Sequence, residues 1–368
     1  MTTERLAIPN LGNYTVAIAA MVTGMGAEPW WSTYTNDHAM ALGIAAAPES
    51  LCLPFKAHLG HFIEADDAGV ENALMVNSIG TCRLNYYRGM VEEILKDMGR
   101  KIRVFGLGFD GFKPPVFRYF DPPLIPLLRN VSIGVEKIRT IDTIELQTAY
   151  TRAREVNTGE TSLLTERCLR ELSEINSKKT VRLFHKDVRK RFEAIAIDKS
   201  HEPLRIGLIG EVSLLRDRQL NQNLEQILGH MGVEIKNFFL LGGEIGNNFG
   251  ISMGYKINTA KQLAVVAKPY LESEVGGHAR DSVAHTINCA QAGFDAMVHV
   301  CPTGCMPEVS IRPILRRVSE DMDIPVLQLS FDEHTSALGV VTRVEAFLDI
   351  LWSRRQRFVG RVNRPRRT

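Results

Sequence analysis

No apolar run in this sequence approaches the roughly 20 residues that a membrane-spanning helix needs, so no membrane span is expected. The opening residues, MTTERLAIPNLGNY, lack a charged segment followed by an apolar one. No secretory signal is read there, and a cytoplasmic protein is the expectation. Neither a glycine-rich dinucleotide fingerprint nor a P-loop signature is present, so no nucleotide site is assigned. Low-complexity segments and short repeats are absent too. Net charge is small, +2 over 368 residues, and it hides an asymmetry. Residues 354–368 hold seven arginines and no acid, which leaves the body before them near −5. An acidic body gives no reason to expect nucleic-acid binding, and the tail reads as a solvated, disordered end. With 45% hydrophobic and 23% charged residues the composition is that of a globular protein.

What is present is alternation. NALMVNS (72–78), KIRVFGLG (101–108), RIGLIGE (205–211), NFFLLGG (237–243), DAMVHV (295–300) and IPVLQLSF (324–331) read as buried strands bounded by Gly, Pro or Asp. Between them, VEEILKDMG (91–99), NQNLEQILGHMG (221–232), ARDSVAHTINCAQAG (279–293) and PEVSIRPILRRVSEDM (307–322) carry apolar residues at helical spacing. Strand and helix alternating in this way predicts an α/β fold with parallel sheets and helices on both faces. Residues 141–200 hold no convincing strand. The expected organisation is an N-terminal α/β lobe (1–140), a helical connector (141–200), a C-terminal α/β lobe (201–352) and a basic tail (353–368). The basic run KKTVRLFHKDVRKRFEAI reads as a solvated helix face.

Six cysteines remain to be placed. Without an oxidising compartment they do not form a disulfide framework, and clustered thiols then point to metal or redox chemistry. Cys168 and Cys289 fall inside helical patterns and read as packing residues. Cys82 (in SIGTCRLNYY) and Cys301 and Cys305 (in CPTGCMPE) follow strands, at the carboxyl edge where open α/β sheets bind ligands. Cys52 lies in PESLCLPFKAHLGH, a segment leading into a helix. The separations are 30, 219 and four residues, unlike the close pairs of structural zinc sites. An iron–sulfur cluster tolerates dispersed ligands better, because its inorganic core supplies the geometry. The residues alone leave a cluster, zinc and no metal all open, with the cluster preferred over zinc. Gly80, Gly304 and Pro54 would shape the backbone so that amides point at sulfurs, and Lys56, His58, His61 and Arg83 would place positive charge beside Cys52 and Cys82.

Taken together, CLPFK (52–56), GTCR (80–83), GCMPE (304–308) and DEHT (332–335) resemble the iron–sulfur component family of 2-hydroxyacyl-CoA dehydratases and benzoyl-CoA reductases, and within it the acyl-CoA dehydratase activase-related proteins. The matching stretches 43–65, 79–99, 209–235, 293–308 and 331–351 cover most of the chain outside its helical middle and tail. The resemblance implies two flavodoxin-like lobes with a 4Fe–4S cluster, or in some members a double-cubane cluster, in the cleft between them. It implies Cys52, Cys82 and Cys305 as metal ligands, with Gly80 and Gly304 beside the cofactor. It also implies an ASKHA-type ATPase activator that carries its own cluster and injects a low-potential electron. The recipient then reduces or dehydrates a small-molecule substrate, for instance a CoA thioester, and pairing as a homodimer or with a related subunit is expected. The sequence departs from the pattern where Pro302-Thr303-Gly304 stands for the usual Pro-Phe-Gly. It also adds Cys301, which is either a fourth ligand that makes the protein a non-catalytic electron carrier, or a spectator thiol, the preferred reading.

Three further residues are candidates for proton handling. Glu211 ends a strand on the same edge as the cysteine loops, in GEVSLLRD, where Asn221 is expected to cap the next helix. Glu308 lies in a first helical turn after Pro307, and His334 lies in DEHTS. Each also has a plain structural role as part of a helix start, with Thr335 or Ser336 as the cap of the last helix.

Overall fold

In the computed structural model, which describes residues 4–32, 34–75, 82–106, 115–200, 202–249 and 258–362, the chain forms two parallel sheets of four strands each. The first lobe runs β1 (Arg5–Ala7), α1 (Thr15–Thr23), β2 (Glu28–Trp30), α2 (Asp37–Ala46), α3 (Leu53–Asp67), β3 (Asn72–Met75), α4 (Leu84–Asp97) and β4 (Arg103–Gly106). Helices α5 (Pro115–Phe120), α6 (Leu124–Arg152), α7 (Glu160–Glu174) and α8 (Lys178–Glu193) follow. The second lobe then opens with β5 (Leu204–Gly210), α9 (Val212–Arg216), α10 (Leu224–His230) and β6 (Val233–Asn237). It continues through α11 (Leu241–Phe249), α12 (Ala260–Ala267), α13 (Ala279–Gln291) and β7 (Ala296–Pro302). It closes with α14 (Met306–Ser310), α15 (Arg312–Asp321), β8 (Val326–Phe331) and α16 (Ala337–Val362).

The strand orders are β2-β1-β3-β4 and β6-β5-β7-β8, with every pairing parallel. Both are the order in which flavodoxin-like sheets begin, and both reverse direction between their first and third strands, where such sheets bind ligands. The two lobes thus share one architecture that no sequence repeat announces. Central strands are buried on both faces: every residue of β7 is buried, and so is nearly all of β5. Helices cover both sides, which is why these segments read as unbroken apolar runs.

The strand expected at 237–243 is not one. The strand is VEIKN just before it, and Leu241 starts a helix. As an edge strand, β6 alternates buried Val233 and Ile235 with more accessible polar residues, while the apolar Phe239 and Leu240 belong to a buried loop leaving the sheet. Strands β1 and β2 have three residues each, too short for a periodicity signal. The single helix expected at 307–322 is two, parted at Ile311, because Pro313 has no N–H to continue the ladder.

Helical structure expected from residue 141 begins at Leu124, and the boundary at 140 falls inside α6. Helix α6 packs with α1, α7 and α8 around Ile138, Ile141, Ile144, Val181 and Val188. Basic α8 buries Val181, Phe184, Val188 and Phe192 on one face. Its arginines on the other pair with acids, Arg182 with Glu136 at 2.7 Å and Arg191 with Glu171 at 2.7 Å. The tail expected to be disordered from 353 continues α16 to Val362. Arg354 pairs with Asp323 at 2.5 Å and Arg355 with Glu202 at 3.7 Å, which ties this turn to the body. Among the described residues no helix is long and apolar enough to cross a membrane.

Several polar contacts join the lobes. Thr35 donates from its amide (3.0 Å) and its hydroxyl (2.6 Å) to Asp217, and Lys56 pairs with Glu333 at 2.7 Å. Leu53 and Ala57, from the first turns of α3, sit in the apolar core of the second lobe. The helix that begins at Cys52 is therefore wedged between both lobes.

Candidate metal centre

Cys52 and Cys305 occupy the same local structure. Each is the N-cap of a helix, extended in backbone, with a proline two residues on: CLPF opens α3 and CMPE opens α14. Cys82 directly precedes Arg83, the N-cap of α4. The amides of Phe55, Leu84 and Glu308 lie near the Cys52, Cys82 and Cys305 thiols in turn and pull each of them down. A helix N-terminus presents free amides and a positive dipole end, which favour a thiolate. The repeated Cys-x-Pro spacing is a sequence signal for this arrangement that the motif reading did not use.

The three loops meet across the lobes. A Cβ built on Gly304 would lie 3.3 Å from the Ser50 carbonyl oxygen and 3.5 Å from the Cys52 Cα, so the Cys305 turn rests on the Cys52 backbone. The Arg83 guanidinium donates to the Gly304 carbonyl, which ties the Cys82 loop to the same turn. Tyr87, one turn into α4, shares a hydrogen bond of 2.8 Å with Cys52 Sγ. Sequence reasoning missed Tyr87. Its signal is its spacing from Cys82, which puts it on the buried face of α4 while Tyr86 is exposed. Gly80 lies outside the described residues.

The electrostatics of this junction are short of positive charge. Burial pushes the Cys52, Cys82 and Cys305 thiols up, and the nearby Glu211 carboxylate pushes each further in the same direction. Arg83 pulls Cys52 and Cys82 down. The positive charge expected from the histidines is missing: burial holds His58 and His61 down at about 4, so both are neutral at pH 7. His61 instead donates from Nε2 to the Ile8 carbonyl at 2.9 Å. Lys56 is buried in its ion pair with Glu333.

These two histidines have a measurable consequence. Their folded values lie below the unfolded one, so their stabilisation is complete above pH ~6.5 and is lost as the pH falls toward 4, roughly 3 kcal/mol each. The urea midpoint is expected to fall over that interval. In a His61→Gln variant, whose amide still reaches Ile8, the fall should be shallower, and an equal slope would contradict the burial argument.

The remaining candidates separate. Glu211 caps α9, accepting from the amides of Ser213 (3.1 Å) and Leu214 (2.8 Å). Burial raises its pKa against those hydrogen bonds. It can take this position because Gly210, at φ 131°, passes so close to β7 that a Cβ would lie 1.9 Å from the Val300 carbonyl oxygen. The N-cap of α10 is Asn223 rather than the expected Asn221, which instead supports the preceding turn by accepting from the Leu224 amide at 3.1 Å. Glu308 is buried with its Oε2 2.8 Å from His299 Nε2, a partner that the sequence did not suggest. Cys301 is buried in β7, its thiol pushed up to about 12 by burial and then by Glu308, and it donates to the Pro302 carbonyl at 3.2 Å. Cys168 and Cys289 are core residues, as expected. His334 is exposed in the turn that starts α16, its amide bonded to Asp332 Oδ1 at 3.0 Å, and Ser336 caps that helix.

Among the described residues no group of three or more His, Cys, Asp or Glu side chains is placed to hold a single metal ion. A polynuclear cluster makes a different demand, since each thiolate meets its own iron and the sulfurs need not converge on one point. Buried Cys305 and half-buried Cys52 and Cys82, with Glu211 raising all three thiols, fit a cationic inorganic core, which would deprotonate the thiols and supply the missing charge. A scan against protein-family models finds no match to this chain, and a search of curated proteins finds none either.

Proposed function

We propose that Cys52, Cys82 and Cys305 hold a 4Fe–4S cluster between the lobes, and that the protein passes low-potential electrons from an ASKHA-type ATPase activator to a bound small molecule such as an acyl-CoA. The observation that carries this reading is the meeting of three helix N-termini, each with a cysteine at its start, from two lobes of the same topology. A cluster bound there supplies one-electron chemistry, and three thiolates leave one of its four irons without a protein ligand. The residues of the chain do the rest. The Tyr87 hydroxyl steadies the Cys52 sulfur, a hydrogen bond of the kind that raises a cluster's potential, and the Phe55, Leu84 and Glu308 amides favour the thiolates beside them. Arg83 locks the Cys305 turn to the Cys82 loop. Glu211, its carboxyl raised by burial, can hold a proton at the edge of the cleft, and His299 orients the Glu308 carboxylate. His334, exposed on its turn, is left to helix capping. Cys301 is the spectator, since its thiol is committed to the Pro302 carbonyl within the strand.

The test is metal and sulfide analysis of protein purified without oxygen, with EPR after reduction, in wild type and in Cys52→Ala, Cys82→Ala, Cys301→Ala and Cys305→Ala. About four irons with matching sulfide are expected in wild type and in Cys301→Ala, with loss in the other three. Loss in all four favours the electron carrier with a closed cluster. Zinc without sulfide in the anaerobic protein, or no metal at all, overturns both.

A further inference from the structure

Away from the cysteines, the loop after β1, helix α6 and the second lobe line a partly open cavity of about 80 Å³. That is room for several waters, each needing about 10–15 Å³ of such space, or for one molecule the size of glycine or alanine. Its wall is charged in an unusual way. Arg152, from α6, makes one hydrogen bond among the described residues, from Nε to Ser162 Oγ at 3.3 Å, and has no carboxylate within 4.0 Å. Glu145, two turns earlier on the same face of α6, accepts at Oε1 from Asn13 Nδ2. Glu225, on α10, accepts at Oε1 from Asn237 Nδ2 at 2.9 Å. The second oxygen of each carboxylate has no partner among the described residues. The other two arginines at the wall are already paired, Arg216 with Glu244 at 2.7 Å and Arg218 with Glu166 at 3.4 Å.

Arg152 and the two carboxylates feel each other across the gap without closing on each other. Half-buried charges this close normally contract into pairs or carry an occupant that completes them. Here Asn13 and Asn237 hold the carboxylates back from the arginine, and the space between stays open. Water alone would satisfy hydrogen bonds but would bring no counter-charge. The geometry points to a binding site for a small zwitterion of the α-amino acid class, its carboxylate on Arg152 and its ammonium between Glu145 and Glu225. Burial and the field of Glu145 hold the Glu225 carboxyl up at about 7, as expected of two carboxylates that lack a cation between them. Because Asn13 comes from the first lobe, Glu145 and Arg152 from the helical connector, and Glu225 from the second lobe, the occupant would tie all three bodies together. Such a ligand stabilises the folded, closed arrangement by mass action.

The test is thermal unfolding and calorimetric titration of the full chain with glycine and L-alanine, against acetate, methylammonium and propionamide as controls. The two amino acids at about 10 mM are expected to raise the midpoint of unfolding, and the three half-ligands to leave it unchanged. Glu225→Gln, nearly isosteric, should bind glycine at least about tenfold more weakly, with an unaltered circular dichroism spectrum, and so should Arg152→Met. The assignment is overturned if neither amino acid shifts the wild-type midpoint, if acetate shifts it as much as glycine does, or if folded Glu225→Gln binds glycine as wild type does. The ligand panel on the wild type decides the matter even if both variants fail to fold, and it is independent of metal content.

Discussion

Gly60→Ala is expected to lower the midpoint of thermal unfolding by roughly 6–12 °C, a cost of about 3 kcal/mol. Helices α2 and α3 touch backbone to backbone at Gly43 and Gly60. A Cβ on Gly60 would lie 1.7 Å from the Ala39 carbonyl oxygen and 2.8 Å from the Gly43 nitrogen, and one on Gly43 would lie 1.8 Å from the Lys56 carbonyl oxygen. None of these neighbours is a flexible side chain that can turn away, so the helices must separate. The competing effect has the opposite sign: in an isolated helix Ala is favoured over Gly by about 1 kcal/mol. The sign of the measured change therefore decides between a contact helix face and a free one. Helix α3 begins at Cys52 and carries Leu53 and Ala57 into the core of the second lobe. With the proposed cluster in place, displacing the helix should also lower iron content, while Gly89→Ala on α4, where a Cβ meets nothing within 4 Å, should be neutral or stabilising. A Gly60→Ala variant as stable as wild type would mean that α2 and α3 do not pack in this way.

Lys56→Met carries the other large effect, about 3 kcal/mol of destabilisation at pH 7. The Lys56 side chain is 2% exposed and its partner Glu333 18% exposed, with 2.7 Å between them. Methionine keeps most of the alkyl stem but leaves a largely buried carboxylate without its cation. Removing one partner of a buried pair costs about 3–5 kcal/mol, and the partial exposure of Glu333 argues for the lower end. The hydrogen bond from Lys56 holds the Glu333 carboxyl below the usual carboxylate range. The pair's contribution is thus complete above the ordinary glutamate value and is lost as the pH falls through the lowered one. Denaturant midpoints of wild type and variant should differ at pH ~7 and converge toward pH ~3. A gap that persists in acid would trace the loss to packing of the lysine stem instead.

Legibility in the sequence followed burial. Strands β5, β7 and β8 and the core of β3 and β4 could be read because their residues are apolar enough to stand out between Gly, Pro and Asp. Strands β1, β2 and β6 escaped because they are short or lie at an edge, where polar residues face out. Phe239 and Leu240 misled for the converse reason, being an apolar loop rather than a strand. DEHTS suggested acids and a base for proton transfer. In the folded chain Glu333 is bound to Lys56, and Asp332 and Ser336 organise a helix start.

The sequence by itself determined the α/β class, the succession of two lobes around a helical stretch, and the placing of Cys82 and Cys305 after strands, whereas Cys301 lies within β7. Those properties are local, set by periodicity and by the residues that end each element. Only the tertiary structure decided which thiols share one junction, that Cys301 turns into its own strand, that His58 and His61 are neutral, and that Arg152 faces two carboxylates across a cavity. These depend on contacts between residues far apart in the chain, and burial and charge are properties of the packed environment rather than of the residue alone.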